Sequence, residues 1–215
     1  MKYTLKSMLA ATALGGALFS GTVLADSYFE VTVTNLTKGI TFTPALVATT
    51  RSGDSFFLAG DEASSELETL AESGAAGDLA DSLDAYDVAS LDFIGPGASG
   101  TTLVATKGQY KAITIASMLI PTNDTFFALN GVDGPNGNKT IRISVPAYDA
   151  GTELNDELCA NLPGPGCGGD PGPVSDNGEG YVYISNGVRG VGDLDADLRD
   201  WRNPVARITI TRVNN

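Results

Sequence analysis

YFEVTVT (residues 28–34) sets the reading of the fold. Phe29, Val31 and Val33 alternate with Glu30, Thr32 and Thr34. Successive side chains of a strand point to opposite faces, so this two-residue period describes a strand with one buried face and one wet face. The pattern returns at 139–145, where Ile141, Ile143 and Val145 alternate with Thr140, Arg142 and Ser144. It returns again at 206–211, where Ala206, Ile208 and Ile210 alternate with Arg207, Thr209 and Thr211. Segments 40–50, 101–106, 110–119, 125–129 and 180–185 also read as strands, punctuated by glycine, proline and asparagine. Many short strands separated by turn residues predict a mostly β chain folded as an antiparallel β-sandwich.

One region departs from this period. Ser65-Glu66-Leu67-Glu68 matches a capping box, in which the hydroxyl satisfies a free N–H and the glutamate reaches back. Leu67, Leu70 and Ala71 then share one helical face, and Gly74 can end the helix. Leu79 and Leu83, four apart, predict a second short helix over 78–85. The acidic faces of both helices are expected to be solvated.

The N-terminus reads as a secretory leader, residues 1–25. Lys2 and Lys6 precede an uncharged apolar stretch, and Val23-Leu24-Ala25 offers the small residues that precede cleavage. The stretch is rich in Ala, Gly, Ser and Thr and is short for a membrane span, so cleavage after Ala25 is expected rather than anchoring. The remaining chain, residues 26–215, reads as a single domain, exported or periplasmic. Its formal net charge is −13 before the two leader lysines are removed. Such acidity argues against nucleic acid, whose phosphates are bound by Lys and Arg, and suits a cation site or colloidal solubility.

Cys159 and Cys167 are the only cysteines, set close together across ANLPGPG. In an exported chain a close pair reads as a disulfide, and two thiols without any histidine are too few for structural zinc. The bridge would staple the loop at 162–180, which holds four prolines and seven glycines.

The absence of histidine removes Ser-His-Asp and Cys-His catalysis and the commonest zinc ligand. GPGASG (95–100) lacks the spacing of a nucleophile elbow and reads as a turn. VDGPNGN (132–138) is turn chemistry. DLDADLRD (193–200) opens like a calcium loop through Asp193, Asp195 and Asp197. Its sixth position, however, is Leu198 and its twelfth Pro204, so the hand motif fails. That leaves either a solvated acidic turn or a second cation site. ASMLIPTNDTFFAL (116–129) and YDAGTE (148–153) each place acids just beyond an apolar run: Asp124 in the first, Asp149 and Glu153 in the second. Three carboxylates on loops suit a hard divalent cation such as Ca2+, which takes six to eight oxygens in irregular geometry. The same acids could instead serve only to solubilise turns.

These two motifs, together with VTVTNLT (31–37), TFTPALVATT (41–50), GDEASSELETLAESG (60–74) and PVARITITR (204–212), resemble the spondin amino-terminal domain family over nearly the whole exported chain. The resemblance implies a β-sandwich like the calcium-and-lipid-binding domains of signalling proteins, with one or two short helices. It implies one Ca2+ held by Asp124, Asp149 and Glu153, the last standing where animal members carry aspartate. It implies attachment or recognition outside the cell, with an envelope or matrix macromolecule, polysaccharide or protein, as partner. No enzymatic activity is expected. A carboxylate-based hydrolase of glycans or esters, or an envelope component with calcium as a fold staple, are the alternatives.

Overall fold

The computed structural model describes residues 27–169 and 177–213. The leader and its cleavage point lie outside the described residues, as does part of the Pro/Gly-rich loop. In chain order the strands are β1 (Ser27–Asn35), β2 (Thr41–Phe42), β3 (Leu46–Arg51), β4 (Ala85–Ser90), β5 (Ser99–Thr106), β6 (Tyr110–Ile120), β7 (Thr125–Asp133), β8 (Thr140–Val145), β9 (Ala147–Asp149), β10 (Tyr183–Ile184) and β11 (Ala206–Val213). The helices are α1 (Ser65–Ser73), α2 (Gly77–Ser82) and α3 (Ala196–Arg199).

Two antiparallel sheets face one another. A four-stranded sheet runs β5-β1-β11-β8, and a seven-stranded sheet runs β10-β9-β7-β6-β3-β4 with β2 beside β6. The alternating residues do what their period demands. Phe29, Val31, Val33, Ile208 and Ile210 pack inward from the smaller sheet against Val47, Ile113, Ile115, Phe127 and Leu129 of the larger. The larger sheet is covered on its other face too. There Leu46, Ala116, Phe126 and Ala128 meet Leu67, Leu70 and Ala71 of α1 and Leu79 of α2. Strand β6 is consequently buried from Ala112 through Ile120, which explains its unbroken apolar run.

Several boundaries differ from expectation. Segment 40–50 splits at Pro44, which has no N–H for a ladder, into β2 and β3. The helix expected over 78–85 ends at Ser82, and Ala85 already opens β4, an edge strand on β3. The strand expected over 180–185 shortens to Tyr183–Ile184 on the edge beside β9. Helix α1 is capped by Ser64 rather than Ser65: the Ser64 hydroxyl accepts from Leu67 N, and Gly74, left-handed at φ 74°, closes the other end by donating to Leu70 O. Strand β9 and helix α3 carry no pattern long enough to read from the sequence. Among the described residues no helix is long and apolar enough to cross a membrane.

Candidate metal centre

Asp124 stands immediately before β7, and Asp149 is the last residue of β9. These strands pair with Thr125 opposite Asp149, so sheet register alone brings together two acids distant in sequence. The chain then folds back on itself. Gly151, at φ 69°, turns so closely past Tyr181 that a Cβ would lie 2.3 Å from the Tyr181 carbonyl oxygen. This turn aims the following amides at Asp124, whose Oδ2 accepts from Thr152 N at 2.8 Å, Glu153 N at 3.1 Å and Thr152 Oγ1 at 3.3 Å. Asp149 Oδ1 accepts from Gly151 N at 3.1 Å, and its Oδ2 from Asn155 Nδ2 at 3.0 Å. Asn123 ties the two loops further through Asp156 and the Glu157 amide.

Both carboxylates are withdrawn from water: Asp124 is 0% exposed and Asp149 2%. Asp124 Oδ1 meets no amide or hydroxyl donor, and the Asp149 carboxyl hydrogen-bonds to Asp124 only when it carries a proton. Burial raises the Asp124 pKa against the pull of the Glu153 and Thr152 amides. Burial, and then the negative Asp124 beside it, push Asp149 up to about 8. Tyr183, whose hydroxyl shares the Asn155 amide, is raised by burial and by the negative Asp149 and Glu179. A cavity of about 30 Å3 opens on Asp149, Asn155, Glu179, Tyr183 and Arg189, room for one water or one small ion.

Glu153 is 2% exposed and lies in the same loop, its amide on Asp124. The structure therefore joins Asp124 and Asp149 as a pair and places Glu153 next to them in the chain. It does not gather the three side chains into one cluster: among the described residues no three His, Cys, Asp or Glu are grouped so as to hold a metal ion.

Two further acids belong to this end of the molecule. Glu72 of α1 is only 6% exposed and its Oε1 has no hydrogen-bond partner, so the acidic side of α1 is not wholly solvated as expected. Burial raises its pKa, opposed by a bond to Thr152, and the charges of Glu68 and Asp124 add to the rise. A carboxylate in the last turn of a helix, against the dipole and with no basic neighbour there, was the signal available in the sequence. Glu157 carries positive φ, 55°, and its carboxylate accepts from the amides of Arg189 at 2.6 Å, Gly190 at 2.7 Å and Val191 at 3.0 Å. It clamps the loop that borders the small cavity.

The other sequence candidates have structural work. Asp195 caps α3 by accepting from Asp197 N, and Asp193 accepts from Cys159 N at 2.9 Å. Cys159 and Cys167 form a disulfide, a bond made in oxidising compartments. GPGASG forms a turn closed from Ala98 N to Gly95 O. Compared with models of known protein families the chain matches none, and a search of curated proteins finds no relative.

Proposed function

We propose that this is an exported β-sandwich that binds Ca2+ at the buried Asp124–Asp149 pair, which Glu153 adjoins in the chain, and serves attachment to an envelope or matrix macromolecule. The observation that carries the cation is the fully buried Asp124 carboxylate, with one oxygen that meets no donor but a protonated Asp149, against that second buried carboxylate. No Lys or Arg ion pair among the described residues reaches either. Like charges about 4 Å apart repel by ~4 kcal/mol at an effective dielectric near 20. Such a pair needs a shared proton or a cation. The surrounding oxygens fit a hard ion, since the two carboxylates and the Tyr183 and Thr152 hydroxyls are oxygen ligands, while Asn155 turns its NH2 group to Asp149 and Tyr183 and only positions them. Calcium there would neutralise the pair and lock the β6–β7 turn to the segment after β9. The resemblance of these two segments to the spondin amino-terminal domain is the ground for attachment rather than catalysis.

The depth of Asp124 favours a second reading, calcium as a fold staple, because a fully buried oxygen cannot touch a polymer. One preparation decides between them. Retention on envelope or matrix polysaccharide is expected with calcium and lost with chelator, and a broad ester, peptide and glycan hydrolase panel is expected to show no turnover. Chelator-insensitive retention assigns calcium to the fold only. Hydrolysis abolished by Asp124→Asn would replace the attachment reading with the hydrolase.

A further inference from the structure

The opposite end of the sandwich holds a second cavity, of about 260 Å3, bordered by Lys107, Lys111 and Arg212 and floored by Phe29 and Pro135. It lies where β1 begins and where β5, β7 and β11 end, whereas Asp124 precedes β7. The nine residues of β7 separate the two by roughly 30 Å at the rise of an extended strand. In a chain with 26 acids and 13 bases, three cationic residues line this cavity, and among the described residues no carboxylate lines its walls. The geometry points to a binding site for an oxyanion group, carboxylate, sulfate or phosphate, carried on a small organic body.

Each cation keeps capacity for a ligand. Arg212 spends one donor, Nη2 to Ser27 Oγ at 2.7 Å, out of the five N–H groups of a guanidinium. The Ser27 hydroxyl accepts that bond and keeps its own hydrogen to donate. Lys111 pairs with Asp133 at 3.2 Å, but both partners are about half exposed, and such a surface pair is weak and exchangeable. Lys107 rests over the Tyr86 ring at 5.6 Å, a contact that leaves its ammonium hydrogens open. The floor is fixed rather than collapsible. Gly134 lies so close on the Phe29 ring that a Cβ would sit 2.3 Å from it, and Gly134 N donates to Lys111 O at 2.9 Å. An apolar floor beneath a cationic rim suits an acid with a ring or short chain better than a bare ion. The volume lies just below the usual range of ligand pockets, about 300–1,000 Å3, which restricts the ligand to a small molecule.

The test is calorimetric titration of the exported protein, in chelator and at fixed ionic strength, with sulfate, glucuronate and glucose. Glucuronate is expected to bind, sulfate to bind more weakly, and glucose not to bind. Lys107→Gln and Arg212→Gln are each expected to weaken binding about tenfold, the worth of one charge-assisted hydrogen bond. Arg202→Gln, on an exposed arginine outside this cavity, is expected to change nothing. Because Arg212 holds Ser27, its variant is checked by thermal melt, and Lys107→Glu, which disturbs only the Tyr86 contact, is expected to abolish binding. Glucose binding equal to glucuronate, no heat with either anion, or equal loss in Arg202→Gln would overturn the site.

Discussion

Asp149, paired with Asp124 whose pKa burial likewise raises, leads the pH dependence of the cation-free protein. Its folded pKa, near 8, lies above the ordinary aspartate value of about 3.9, so between those values the folded state holds a proton that the unfolded chain has released. Stability contributed by that proton is complete below about pH 4 and is lost as pH rises through about 8. Chelator-treated protein is therefore expected to melt progressively lower as pH rises from about 5 to above 8, and Asp149→Asn to flatten the decline. At the same scale Glu157 is held in the left-handed region by three amide bonds. Glu157→Ala leaves three amides unpartnered and is expected to cost about 2–4 kcal/mol in urea unfolding, with Glu157→Gln recovering part. Asp124 and Asp149 were legible because each is an acid at the end of an apolar strand, and strand pairing did the rest. Glu72 and Glu157 were not, because an acid in a helix or loop reads as solvated until the opposing loop that buries it is known.

At the scale of elements, α1 depends on its ends. Ser64 supplies the only side-chain cap at its start, and Ser64→Ala is expected to cost about 1 kcal/mol. Gly74 closes the helix in a left-handed conformation, and a Cβ there would lie 2.6 Å from Thr43 Cγ2. Gly74→Ala therefore combines a backbone penalty of about 1 kcal/mol with a clash against the sheet. It is expected to destabilise more than Ser64→Ala, and paired thermal melts compare the two. The period-two strands declared themselves in the sequence because each has one wet face. Strand β6 was legible only as a long apolar run, since α1 covers one face and the smaller sheet the other. Strand β4 follows α2 too closely for its alternation to stand apart from the helical leucines, and β9 is too short to show any period, whereas β10 is what remains of the strand read over 180–185.

Over the whole molecule, the loops at the Asp124 end are held by one covalent device and, under the calcium proposal, by a second. One is the Cys159–Cys167 disulfide, which closes a short loop whose Cys159 amide is bonded to Asp193. Its removal by Cys159→Ala with Cys167→Ala is expected to cost about 2–3 kcal/mol, less than a long-range bridge would. The other is the proposed calcium, which would tie the turn before β7 to the segment after β9 and so join the large sheet to its edge. Cation binding to the folded state alone adds about 2.7 kcal/mol at 100 times the dissociation constant. In a chain of this size that corresponds to a rise in Tm of about 5–10 °C. The decisive measurement is the Tm of the chelator-stripped protein and of Asp149→Asn, each with and without saturating calcium near neutral pH. The expected result is a rise of that size in the parent and none in Asp149→Asn. No rise in the parent, or the same rise in both proteins, would contradict a calcium site at Asp124 and Asp149.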